Sequence, residues 1–270
     1  MTPLLDLLSC NVKPIFVGNY NGGKGVSVYQ NRVIDALQKH FRIPSERFYQ
    51  FYAAPKSGKE DTTRSRSLLF FSHAIILASG MKKPVKLYIP ENGVISMNIP
   101  LTEHRMGSLS TRTTHPYFMG MLQDLLNALE LKITIVNPYQ FKTKGEMMLE
   151  CIDFDFLKNN YPLTMSCSHP DLGRWKKETE SSHCGVCLPC TIRRAAIMKA
   201  GLKDESFYRD PEYRDIEAET NLRSYKLGLA RKKTPIWAIQ ESGPITHHRQ
   251  DFSDLYQRGL AELKEFIDTL

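Results

Sequence analysis

Residues Lys132–Met148 read KITIVNPYQFKTKGEMM. The stretch opens on a short β-prone run, KITIV, and passes into a segment, Lys144–Leu157, that reads as a helix. The same alternation recurs upstream. Short apolar runs at Lys13–Gly18 (KPIFVG), Arg47–Tyr52 (RFYQFY) and Val85–Ile89 (VKLYI) read as strands, and Asn31–Phe41, Ser65–Ser79 and Pro116–Leu131 read as helices. Strand alternating with helix at this spacing predicts βαβ units, an α/β class, and a doubly wound parallel sheet covered on both faces. Ligands of such sheets sit at the carboxyl ends of the strands, so functional residues are expected just after each strand.

Composition is compatible with this reading. The chain has 270 residues, 41% hydrophobic and 24% charged, enough for one α/β domain with an appendage. No apolar run reaches the roughly 18 residues of a membrane span, and MTPLLDLLSCNVKP lacks the basic start of a secretory signal. A cytoplasmic protein with no membrane partner is the expectation. The charge is uneven: residues 1–205 hold 26 Lys and Arg against 18 Asp and Glu, net +8, whereas residues 206–270 hold 10 against 11, net −1. The basic excess fits a phosphate-bearing ligand or a merely soluble surface. Nucleic acid is not expected, because no reading motif accompanies the charge. Composition turns polar after about Leu202, which divides the chain into residues 1–205 and a mainly helical extension, 206–270, ending in an amphipathic helix at Asp251–Leu270.

Cysteine spacing carries the sharpest signal. Cys184, Cys187 and Cys190 stand at three-residue steps in SHCGVCLPCTIRRAAI (Ser182–Ile197), and Cys167 precedes them in TMSC. In a reducing compartment such clusters hold metal or do redox chemistry more often than they form disulfides. Four thiolates suit a closed tetrahedral Zn²⁺ site. An iron–sulfur cluster uses the same ligands, and free thiols are the plain alternative. With Zn²⁺ the site carries −2, which Lys176, Lys177, Arg193 and Arg194 are close enough in sequence to offset. Cys10 and Cys151 stand apart and read as ordinary buried thiols.

Thr164, Ser166 and Cys167 followed by His183–Arg193, T-x-S-C and H-C-G-x-C-x-x-C-x-x-R, resemble the zinc signature of the 7-cyano-7-deazaguanine synthases, the QueC family. Sixteen residues, SHPDLGRWKKETESSH, separate Cys167 from Cys184, about twice the usual spacing, which marks a divergent branch with a loop beside the metal. Phe141–Met148 is similar to the family's T-K-x-E segment. Thr63–Ser67 (TRSRS) lies where the family has P-x-R-N, with Ser67 departing from the asparagine. Asn19 and Tyr20 in VGNYNGGKG occupy the place of a tyrosine-glycine loop.

The resemblance implies the N-type ATP pyrophosphatase (adenine nucleotide alpha hydrolase-like) fold. It also implies a ligase that adenylates 7-carboxy-7-deazaguanine with ATP and Mg²⁺, for nitrile or amide formation as in queuosine biosynthesis or for transfer to another acceptor. Relatives with altered loops occur in anti-phage defence islands of the Qat type, where nearby genes encode protein partners. Arg66, Lys144 and Glu146 are the catalytic residues it implies, the cations holding the α-phosphate and departing pyrophosphate. Asn19, Tyr20, Glu91, Asn92, Arg112 and His115 are the substrate-binding residues. Glu91 is suited to a guanine-type N–H edge, and Arg112 or His115 to a carboxylate or phosphate.

The long polar loop Pro90–Pro116, which includes Arg105, departs from the synthase pattern and leaves the substrate open. A second departure is larger. The family's S-G-G-x-D-S loop after its first strand, whose backbone N–H groups cradle pyrophosphate, has no counterpart in the chain. Asn19–Gly25 (NYNGGKG) is the one Gly-rich candidate, and it follows the second strand of the family order. The fold is therefore expected without its first strand. Three explanations follow: a lost upstream segment, a non-catalytic deazaguanine- or nucleotide-binding subunit, or a partner chain that completes the sheet.

Overall fold

The four apolar runs form strands β1 (Phe16–Asn19), β2 (Phe48–Phe51), β3 (Val85–Tyr88) and β4 (Ile133–Val136) in a computed structural model describing residues 1–20, 25–53, 66–98, 100–101, 112–173, 178–231 and 233–270. β1 pairs with β2 in parallel, Phe16 against Phe48 through Asn19 against Phe51. β3 pairs with β4, also parallel, Val85 against Ile133 through Tyr88 against Val136. The α/β class and the parallel pairing agree with the sequence reading. The single doubly wound sheet does not appear: among the described residues the strands make two separate two-stranded sheets.

The helices are α1 (Thr2–Ser9), α2 (Val26–Phe41), α3 (Arg66–Ser79), α4 (Gly93–Met97), α5 (Pro116–Ala128), α6 (Lys144–Leu149), α7 (Phe154–Asn160), α8 (Leu188–Lys199), α9 (Ile216–Ala230), α10 (Pro235–Ala238) and α11 (Arg249–Ile267). The expected helix Lys144–Leu157 is broken in two. Asp153 breaks it, accepting from the Phe156 backbone N–H at 3.0 Å and so starting α7 afresh as its N-cap. No helix among the described residues is long and apolar enough to cross a membrane.

The chain divides into two compact units, Met1–Asp61 with Gly145–Thr220 and Leu270, and Thr62–Lys144 with Asn221–Thr269. The first unit is built on an apolar cluster drawn from α1, α2, α7 and α8, in which Leu5, Leu37, Leu157, Ala196 and Ile197 are fully buried. The second has two clusters. Ala78, Leu126 and Ile133 cover β3 and β4, while Met97, Ile239, Phe252 and Leu255 join α4 and α10 to α11. Most of the C-terminal extension thus belongs to the second unit.

Candidate functional site

The first unit gathers the four cysteines that the sequence singles out. Cys167 comes from the irregular segment that follows α7 and the 3-10 turn Tyr161–Leu163, and Cys184 and Cys187 from the segment before α8. Cys190 lies in the first turn of that helix. The four sulfurs lie within 4.8 Å of one another, with Cys167 and Cys187 4.0 Å apart and Cys184 and Cys190 3.9 Å apart. A tetrahedron with metal–sulfur bonds of about 2.3 Å has edges of about 3.8 Å, so the spacing fits one four-coordinate ion. It is too wide for a disulfide, whose sulfurs bond at about 2.0 Å. A four-iron cluster, which gives each thiolate its own iron, would spread the sulfurs further.

The backbone shapes the centre for negative charge. Amides of Ser168, His169, Cys184 and Cys187 donate to cysteine sulfurs at 3.3 to 3.5 Å. Gly185, at φ +91°, supplies the left-handed residue of the turn, and a Cβ there would meet the Asp210 carbonyl oxygen at 2.7 Å. Hydrogen bonding from Cys167 lowers the pKa values of Cys184 and Cys187, the latter to about 5. Sharing with their neighbours pushes Cys167 and Cys190 up instead. A dication bound by the four sulfurs would displace the protons of the thiols that ligate it.

Residues that the cysteine spacing does not reveal surround the centre. His183 is buried, with Nε2 3.2 Å from the Thr164 carbonyl and Nδ1 3.8 Å from Cys190 Sγ. Burial, aided by Arg193, holds its pKa at about 4. His169, hydrogen-bonded to Cys184, is raised to about 10. Arg193 is only 3% exposed and donates to Thr164 Oγ1 at 2.6 Å, to the Tyr161 carbonyl at 2.9 Å and to Ser206 Oγ at 3.0 Å. Described residues of the insert after Cys167 make further contacts in this unit. Ser181 donates to Asp171 at 2.5 Å, Tyr29 to the Ser181 carbonyl, and Arg209 to Glu178.

Asn19 and Tyr20 lie at the end of β1 in this unit. The Tyr20 amide donates to the Phe51 carbonyl, and Asn19 Oδ1 is buried with no hydrogen-bond partner among the described residues. Gly25 ends the Gly-rich stretch at φ +62°, and a Cβ there would come within 3.3 Å of the Asp171 carboxylate. Glu146 is half-buried in the first turn of α6.

In the second unit Glu91 and Asn92 follow β3, Arg112 and His115 stand just before α5, and Lys144 follows β4. Asn137, just past β4, ties the two ends together: its Nδ2 donates to the Glu91 carbonyl, and its Oδ1 accepts from the Glu91 and Tyr139 amides. Glu91 accepts from the amide and side chain of Asn92 at 3.0 and 2.7 Å. Burial raises its pKa against the pull of Lys144 and Asn92. Asn92 also caps α4 by accepting from the Ile95 amide. His115 caps α5 through Nδ1, which accepts from the Tyr117 amide at 3.2 Å, while its Nε2 is buried with no hydrogen-bond partner among the described residues. Arg112 is exposed before α5. Arg66 starts α3, where Ser67 donates to Thr113 at 2.9 Å. Asn21–Lys24, Thr63–Ser65, Arg105, Lys176 and Lys177 lie outside the described residues.

The site and fold together define an α/β chain with parallel strand pairs and a four-cysteine centre able to hold a metal ion such as zinc. Comparison with protein-family models, curated proteins and solved structures finds no match for this chain.

Proposed function

We propose that the chain is a divergent QueC-like, ATP-dependent ligase that activates a carboxylated deazaguanine, with one Zn²⁺ held by Cys167, Cys184, Cys187 and Cys190. The observation that carries the reading is the tetrathiolate itself. Two segments, TMSC and HCGVCLPC, meet at tetrahedral spacing beside a helix whose buried Arg193 donates to Thr164 of the first segment. All four positions of the ion are filled by sulfur, so the metal has no open site and its role is to join the insert to α8. Chemistry would fall to the strand-end residues, where Lys144, Arg66 and Arg112 provide cations for phosphate and Glu91 a carboxylate for a guanine-type edge.

Topology adds support for the N-type ATP pyrophosphatase fold. A doubly wound sheet of order 3-2-1-4-5 that loses its first strand is left with two parallel pairs, 3-2 and 4-5. β2-β1 and β3-β4 are two such pairs in that chain order.

A second reading, a non-catalytic deazaguanine- or nucleotide-binding subunit, rests on a separate observation. The sequence has no S-G-G-x-D-S string, and the Asp171 carboxylate faces the Gly25 end of its one Gly-rich loop with the same sign of charge as a phosphate. Pyrophosphate release with MgATP and 7-carboxy-7-deazaguanine separates the two. Turnover to AMP and pyrophosphate, by the chain with an upstream segment or a genomically neighbouring partner, supports the ligase. Binding without release in every combination supports the subunit. Metal analysis accompanies the assay, with one zinc per chain as the expected result. Iron with a visible charge-transfer band would overturn the zinc assignment.

A further inference from the structure

The second unit carries a buried acid on its last helix that the reading above does not use. α11 presents Phe252, Leu255, Tyr256, Gly259, Leu263 and Phe266 to the interior, and Glu262 lies on this apolar face, 6% exposed. A carboxylate there loses hydration that only well-placed donors can restore. One donor is Thr143, whose hydroxyl lies 2.5 Å from Glu262 Oε2. Thr143 is itself 1% exposed and directly precedes Lys144.

The same helix holds the rest of that loop. Arg258 donates to the Phe141 carbonyl at 2.8 Å, and the Phe141 ring packs on Phe252 at 4.9 Å and on His248 at 5.3 Å. The loop in turn touches α4, where the Gly93 amide donates to the Lys142 carbonyl at 3.0 Å. α11 closes on α4 as well, with Gly259 against Val94 and Leu255 against Gly93. One tail helix therefore contacts both connections that leave the strand ends, the one with Glu91 and Asn92 and the one with Lys144.

We propose that α11 is a positioning element for the Phe141–Lys144 loop, and that the Thr143–Glu262 hydrogen bond fixes the backbone from which Lys144 projects. Glu262 acts through Thr143 and is a positioning residue. The ligand role of Lys144 rests on the function proposed above, whereas the anchoring of the loop does not.

The test uses the full chain and the variants Thr143→Val, Thr143→Ser and Glu262→Leu. Valine keeps the shape of threonine and removes the hydroxyl, serine keeps the hydroxyl, and leucine fills the acid's space without an acceptor. Three quantities are read: amide hydrogen exchange over residues 141–145, MgATP affinity by calorimetry, and the unfolding midpoint. Thr143→Val and Glu262→Leu are expected to speed exchange by about 10-fold and to weaken MgATP binding by a similar factor. Thr143→Ser should behave as the parent chain does. Replacing a buried acid by an apolar residue is often neutral for stability, so Glu262→Leu should loosen the loop without lowering the midpoint. Unchanged exchange in Thr143→Val, or serine as damaging as valine, overturns the anchoring. Faster exchange with parental MgATP affinity overturns the positioning role. If no MgATP binds to the parent chain, alone or with the upstream segment or neighbouring partner, while exchange responds as expected, the anchoring stands and the ligase reading fails.

Discussion

Arg193 shows what a single residue can do for the four-cysteine centre. Its guanidinium is buried among neutral acceptors, Thr164, Tyr161 and Ser206, with Nε unpartnered and with the Tyr161 ring 5.8 Å away. Four thiolates around a dication carry −2, and a buried cation in the helix that bears Cys190 offsets part of that charge. Arg193→Ala should therefore lower stability by about 3 kcal/mol or more and speed zinc loss to a chelator. Arg193→Lys should recover little, since one ammonium cannot span three acceptors held by a planar fork. Denaturant unfolding and a colorimetric zinc-release assay check both. His115 makes a pH prediction. Burial, with Arg112 second, lowers its pKa from 6.5 to about 4, so the unfolded chain binds the proton more tightly. Its contribution to stability is complete above pH 6.5 and is lost as pH falls toward 4, at most about 3 kcal/mol. His115→Asn, which can still cap α5, should flatten the acid limb of the stability curve across that window. An acid limb unchanged from the parent would contradict the assignment.

At the scale of elements, what the sequence made legible was local. The β-branched and aromatic runs located all four strands to within a few residues, since a strand announces itself by composition over four or five positions. The amphipathic stripe at the C-terminus marked α11 for the same reason. The partner of that stripe was not legible, because its contacts with α4 and the Phe141–Lys144 loop join residues more than 100 positions apart. Asn92 and His115 show the same limit at the site: both read as ligand-binding polar residues of a long loop, and the structure uses them to cap α4 and α5. The four cysteines were legible because ligand spacing is written in the chain, and Arg193 because it stands close to them in sequence, whereas the burial and hydrogen bonds of His183 and Arg193 were not. The close approach of α4 and α11 has its own consequence. A Cβ at Gly93 would stand 2.1 Å from the Gln140 carbonyl oxygen and 2.2 Å from Leu255 Cδ2, one of them backbone that cannot swing aside. Gly93→Ala should cost about 1 to 3 kcal/mol through overpacking. Gly120→Ala is the control: it meets nothing within 4 Å inside α5 and should be neutral or stabilising by a few tenths of a kcal/mol. Thermal unfolding of the two variants side by side checks the contrast.

For the whole molecule, the division into Met1–Asp61 with Gly145–Thr220 and Thr62–Lys144 with Asn221–Thr269 means that each unit is assembled from segments far apart in sequence. No composition shift marks such a boundary, which is why the polarity change near Leu202 does not coincide with it. All four thiols fall in the first unit. An ion that binds only the folded form stabilises what it is attached to in proportion to the logarithm of its concentration over its dissociation constant. Metal removal should therefore act unevenly across the chain. In hydrogen exchange with and without a strong zinc chelator, protection should fall in α8, in the Cys167–Cys187 segment and in the α1, α2 and α7 core that packs with α8. The β3–β4 sheet and α11 should keep theirs. The expected loss is several kcal/mol of local opening free energy, the scale on which structural zinc contributes to small folds. A uniform loss of protection would mean that the units unfold as one. No loss anywhere would mean that the four cysteines hold no metal that matters to the fold, and the tetrahedral spacing of their sulfurs would then need another cause.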